Sequence, residues 1–307
     1  MAVKDPDAAA VAETVLTLAV LLQAGVSPLR AWAHLAGTGD RAAARVCAAV
    51  DEGVALPAAI SSAAPASAPR RGKRAGDGGA AGWRDVAAAW AVATIVGAPL
   101  AESLRGLAIA LRDAHEAADD VRVALAEPAG TAQLMAWLPL VAVGLGIALG
   151  FDTIGVLVRH PLGIACLVAG AVLIVAAHRW SRKLVRDAGA DAGIPGIDAD
   201  LLAIALSGGV SIDRARHIVA GAQGGEADAA ADGILALSRS AGVPAAELLR
   251  ASAALARHRA RVDGRLRAAR LATKLLLPLG VCTLPAFLLL GVAPMLLSVM
   301  SAVPLSL

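Results

Sequence analysis

Apolar residues along this chain fall into two patterns, one of long unbroken runs and one of short stripes at helical spacing. The longest uninterrupted run is Leu275–Met300, which carries no charged side chain. It exceeds the roughly 20 residues that cross a hydrocarbon core as helix, and a basic segment leads into it: Arg257, Arg259, Arg261, Arg265, Arg267, Arg270 and Lys274. Two shorter uncharged runs, Leu134–Gly150 and Leu162–Ala177, flank Asp152, Arg159 and His160, and Arg179, Arg182, Lys183 and Arg186 follow the second. Read as a helical hairpin with a short outer loop at 151–161, plus a kinked C-terminal helix, they predict about three transmembrane helices. The placement of basic residues then puts the N-terminus inside and the C-terminus outside. This is the pattern of a multi-pass membrane protein.

Elsewhere the apolar positions recur at helical spacing. VAETVLTLAVLLQA at 11–24 is too short and too flanked by polar residues to span; it fits a buried bundle helix. Gly25 can close it and Pro28 can open the next. A third helix is expected near Asp40–Val50, with Thr38 and Asp40 as candidate caps. Residues 61–82 break the pattern with Pro, Ser and Gly and a basic knot of Arg70, Arg71, Lys73 and Arg74, and read as a flexible loop. Helices resume from Val86 to Ile95, and another is expected from Leu100 to about Leu125. The architecture expected is all-α: a first helical domain at 10–130, a membrane hairpin at 134–177, a second helical domain at 187–270, and a C-terminal span at 275–300.

An internal duplication supports two related bundles. LQAGVSPLRAWAHL at 22–35 parallels LSGGVSIDRARHIV at 206–219, and IVGAPLAESLRGLA at 95–108 parallels SAGVPAAELLRASA at 240–253. Gly97 matches Gly242, Pro99 matches Pro244, Glu102 matches Glu247 and Arg105 matches Arg250. The same Gly/Pro offsets in the same order are hard to obtain from alanine-rich sequence alone. Gly25, Gly97, Gly209 and Gly242, with Pro99 and Pro244, are the candidate turn residues. Glu102 and Glu247 fall in first helical turns, where free amides favour a carboxylate. Arg105 and Arg250 stand three residues on, where each can pair with its glutamate. Pro139, Pro278, Pro285 and Pro294 interrupt the apolar runs and are the candidates for shaping the membrane elements.

Composition narrows the chemistry. Of 307 residues 58% are hydrophobic and 17% charged, and the net charge is +3. The basic residues collect beside apolar runs, which suits attraction to anionic lipid rather than nucleic acid. Cys47, Cys166 and Cys282 form no CxxC pair. No phosphate-binding glycine motif, HExxH or Cys/His ligand spacing occurs, and the histidines are scattered. The glycines of the apolar runs, Gly144 and Gly146 or Gly163 and Gly170, suit close helix packing. The residues indicate no catalytic centre, cofactor or metal, and point to an assembly protein. A small transporter or channel component is the alternative reading; it would call for polar groups at membrane depth, and only Asp152 and its neighbours offer any.

LQAGVSPLRAWAHLA at 22–36, IVGAPLAESLRGLA at 95–108, ALSRSAGVPAAELLRASA at 236–253 and RAARLATKLLLPLGVCTLPAFLLLGVAPMLLSV at 267–299 resemble the type II secretion system F family. These are platform proteins of type II secretion, type IV pilus and tight-adherence (Flp) pilus machines, and the actinobacterial tight-adherence members are the nearest in kind. The resemblance implies a non-enzymatic scaffold of the bacterial inner membrane with all-α cytoplasmic bundles. It implies a cytoplasmic secretion ATPase, a second platform membrane protein and pilin-like subunits as partners. It also implies a homo- or hetero-oligomer that passes the ATPase's conformational work to pilin extraction.

Overall fold

Glycine, serine and proline set the starts and stops of the helices. The computed structural model describes residues 8–64, 77–148, 155, 158, 161–187, 193–224, 230–294, 296 and 297. In chain order the helices are α1 (Ala8–Gln23), α2 (Pro28–Gly37), α3 (Arg41–Asp51), α4 (Leu56–Ser61), α5 (Asp77–Val96), α6 (Leu100–Ala148), α7 (Pro161–Asp187), α8 (Ile197–Ser207), α9 (Ile212–Gln223), α10 (Ala230–Ala241) and α11 (Ala245–Pro278). Two π-helical turns, Leu279–Thr283 and Leu288–Val292, bracket the short α12 (Leu284–Phe287). Each π turn ends two residues before a proline, Pro285 or Pro294. A proline donates no backbone hydrogen bond and its ring crowds the carbonyl four residues back, so the ladder opens one residue wider there.

Local chemistry accounts for the α3 start. The Asp40 side chain accepts from the backbone N–H groups of Ala42 at 2.8 Å and Ala43 at 2.9 Å. Its other oxygen accepts from the Thr14 hydroxyl at 2.6 Å, tying the cap to α1. That satisfies two of the free amides of a helix start. α5 starts at Asp77, inside the stretch 61–82 read from sequence as loop; the basic knot at 70–74 lies outside the described residues.

The chain divides into two compact units. Unit 1 comprises Met1–Ala118 with Asp191–Val262, and unit 2 comprises Asp119–Ala190 with Asp263–Leu307. In unit 1 a contiguous buried core draws Val15, Leu18, Trp32, Val46, Ile60, Trp83, Leu104 and Leu111 from one half of the chain, and Leu201, Leu202, Val219, Leu235 and Leu249 from the other. α5 is central to it, packing on α1 and α4 and also on α8 and α9. Trp32 sits with its ring centroid 6.2 Å from those of Trp83 and Trp90, a spacing that suits tilted aromatic pairs. The stretches expected as first and second helical domains thus both supply this unit.

In unit 2, α7 packs on α12 and on both π turns. The inward positions of α7 are Gly163, Gly170 and Ala177, seven residues apart and buried. A Cβ at Gly170 would lie 2.6 Å from Cγ of Leu290, so the leucine occupies the space a side chain would need.

The expectation of three transmembrane helices in a multi-pass inner-membrane protein is corrected here. Among the described residues one helix, Pro161–Leu184, is long and apolar enough to cross a membrane. The Leu134–Gly150 run is the end of the 49-residue α6, where the described helix stops at Ala148. The C-terminal run is divided among the end of α11, two π turns and α12; its apolar helical stretch, Gly280–Val292, is shorter than a membrane crossing needs. Among the described residues the spans are fewer than the apolar runs because the π turns break the C-terminal run and the 134–150 run is described only to Ala148. The topology assigned to the N- and C-termini rested on those three spans and falls with them. Asp152, Arg159 and His160 lie outside the described residues.

Candidate functional site

Four glycine turns set the helices that carry the charged residues. Gly25, Gly97, Gly209 and Gly242 have φ of +86°, +71°, +79° and +68°, a region in which a Cβ is strained. After Gly25 the Val26 N–H closes on Leu21 O at 3.1 Å, and after Gly97 the Ala98 N–H closes on Ala93 O at 2.9 Å. Both are the six-residue closure that uses up carbonyls at a helix end. Pro99 and Pro244 then stand immediately before α6 and α11, where Ser103 N–H bonds Pro99 O at 3.1 Å and Glu247 N–H bonds Pro244 O at 3.2 Å.

From these starts α6 and α11 carry opposite charges toward each other. Arg250 bonds Glu247 in its own helix at 2.7 Å and reaches Glu102 on α6 at 3.3 Å. Arg105, the counterpart of Arg250, donates instead to the side-chain oxygen of Gln23 at the end of α1. Of the two pairs expected within the copies, Glu247–Arg250 is present, whereas Glu102 takes its arginine from the other copy and Arg105 turns to Gln23. Farther along, Arg257 bonds Asp200 of α8 at 2.6 Å and approaches Asp113 at 3.7 Å. Arg261 lies 3.6 Å from Asp113 and 3.5 Å from Glu116. Within unit 2, Arg265 bonds Asp120 at 2.8 Å.

Burial separates these pairs. The side chains of Arg257 and Asp200 are 12% and 17% exposed, whereas Glu102 and Glu247 are largely in solvent. Burial pushes the Asp200 carboxyl above its ordinary range, against the charge and hydrogen bond of Arg257 and the charge of Arg250. Sequence reading missed Asp200 and Arg257 because their partners lie on other helices. It also missed Gly208, beside the chosen Gly209. A Cβ on Gly208 would come within 2.5 Å of Val96 Cγ2 and 2.6 Å of Val96 O, so the α8–α9 turn rests directly on the end of α5.

Of the membrane-run prolines, Pro285 is half-buried in α12 and Pro294 is buried beyond the second π turn. Pro139 and Pro278 lie in α6 and at the end of α11.

A cavity of about 480 Å³ in unit 1 is lined by Pro57, Ser61, Arg84, Asp85, Ala88 and Gln223, among others. One oxygen of Asp85 is buried without a hydrogen-bond partner among the described residues. Burial, with a further push from Asp198 and opposed by Arg84, raises the Asp85 carboxyl to about 6. Ser61 donates to Ala58 O at 2.8 Å and Asp198 accepts from Gln223 at 2.7 Å. The hydroxyl is thus committed to its own helix, and the cavity presents no activated nucleophile. Among the described residues no group of three or more His, Cys, Asp or Glu could hold a metal ion.

Residues 14–148 match the family model of the type II secretion system (T2SS), protein F. The match runs from Thr14 in α1 to the last residue of α6. No curated protein and no solved structure matches the chain. Over residues 14–148 the chain is therefore similar to the type II secretion system protein F domain.

Proposed function

We infer that the protein is a platform component of a tight-adherence (Flp) or related secretion machine, coupling a cytoplasmic secretion ATPase to the extraction of pilin-like subunits. The observation that carries this reading is the protein F domain, which ends with α6, a helix ion-paired to the second half of the chain. Such a protein works through surfaces that bind neighbours and through rigid elements between them. The partners are the ATPase, a second platform protein and the pilin-like subunits.

The test is affinity purification of the full-length protein from its native cells in mild detergent, with identification of everything retained. Recovery of a secretion ATPase with a second platform protein is the expected result. A protein recovered alone that supports solute flux in reconstituted vesicles would overturn the reading.

A further inference from the structure

The duplication and the ion pairs share one register. Gly97 and Gly242, Pro99 and Pro244, and the first residues of α6 and α11, Leu100 and Ala245, stand at a constant separation. The same separation, 145 residues, divides Glu116 from Arg261 and Asp120 from Arg265, which face each other as ion pairs. Two further contacts stay close to that register: Arg257 to Asp113 at 3.7 Å and Arg250 to Glu102 at 3.3 Å. A Cβ on Gly264 would likewise meet Val121 at 3.3 Å. Equivalent helices therefore run parallel and meet at equivalent residues, which is the geometry of a two-fold dimer interface.

In a true two-fold pair each seam position would meet its own copy. Two glutamates would then meet at 116, or two arginines at 261, and like charges in that place repel. At 116/261 and 120/265 this chain instead carries an acid in the first half and an arginine in the second, whereas 102/247, 105/250 and 112/257 carry the same residue in both halves. The reciprocal contacts have diverged as well: Arg105 is taken up by Gln23, and Arg112 by Glu116 at 3.1 Å.

We propose that the two halves associate as a fused heterodimer along α6 and α11, and that the opposite charges at 116/261 and 120/265 direct each first half to a second half rather than to the first half of another copy. The surface is an interaction surface for this chain's own repeat, and a second copy of the chain is the partner it discriminates against. The proposal is independent of the secretion reading.

The test uses the full chain with charge inversions. Glu116→Arg with Asp120→Arg, or Arg261→Glu with Arg265→Glu, should each lower the melting temperature by about 3–6 °C. All four together should return it to within about 2 °C of wild type. Two differently tagged chains, one carrying each inversion pair, should co-purify several-fold more than two wild-type chains, because the first half of each then matches the second half of the other. Additive losses in the fourfold variant, or no gain in co-purification, would overturn the proposal. Where an inversion leaves too little folded chain, Glu116→Gln and Arg261→Gln serve instead. Their combination should cost no more than either alone, and strictly additive costs would sink the idea.

Discussion

Unit 1 and unit 2 are built from similarly apolar helices and use them in opposite ways. In unit 1 large side chains point inward: Leu104 and Leu249 are fully buried, and Trp32 and Trp83 nearly so. In unit 2 the small residues point inward. Gly163, Gly170 and Ala177 form the buried side of α7, while Val168 and Val172 are 56% and 61% exposed. The C-terminal segment exposes Leu277, Val281, Leu284 and Leu288, and turns Cys282, Ala286 and Leu290 inward. Removal of apolar surface from water stabilises unit 1. In unit 2 close approach of helices at small residues provides the described contacts. The lesson is that an apolar helix does not declare which face it buries; the positions of the glycines do.

The sharpest way to break the comparison is at matched apolar truncations. Leu104→Ala in unit 1 should cost about 3–4 kcal/mol in equilibrium unfolding, through lost burial and a residual cavity. Val172→Ala, on the exposed face of α7, should change stability by less than about 0.5 kcal/mol. Equal effects would erase the distinction between the two units.

Next in size is the buried charge of unit 1. Arg257→Ala strands the Asp200 carboxylate and should cost about 3 kcal/mol, read as a shift of the urea midpoint. Adding Asp200→Leu should recover most of that loss, because the uncompensated charge is then gone.

Asp85 sharpens the point in the other direction. Its carboxyl is raised from 3.8 to about 6 in the fold. The folded state therefore holds the proton more tightly than the unfolded chain. Ionisation costs stability as pH rises between about 4 and 6, and the full cost stands above that window. Asp85→Asn should stabilise the protein at pH 7 by about 2–3 kcal/mol, since a shift of one unit corresponds to about 1.4 kcal/mol. The gain should vanish near pH 4. A stability difference that does not vary between pH 4 and 7 would rule out this origin.

Smallest and most local is Gly170→Ala. Its Cβ would overlap Leu290, and a loss of about 1–3 kcal/mol is expected. Cys282, buried nearby in the sequence of the C-terminal segment, should then react faster with a maleimide. An unchanged labelling rate would show that Leu290 simply moves aside.

Much of this molecule is legible locally. The helix starts at Pro28 and after Asp40 and the breaks at Gly25, Gly97, Gly209 and Gly242 all depend on a few consecutive residues. Backbone geometry and first-turn amides act over that distance, so residue identity is enough. The number of spans among the described residues was not legible in that way, because the π turns that break the C-terminal run depend on packing and on proline spacing together.

By itself, the sequence determined that the described residues are helical and which glycines turn the chain with positive φ. Only the tertiary structure decided that both halves share one core, that Arg250 reaches across to Glu102, that Arg257 buries against Asp200, and that Gly208 rather than Gly209 bears the close contact with Val96. The physical reason is range. A turn is fixed by torsion angles within a few residues. An ion pair such as Arg261–Glu116 joins residues 145 positions apart, and nothing in the local chain says which of several carboxylates the folded core will bring to it.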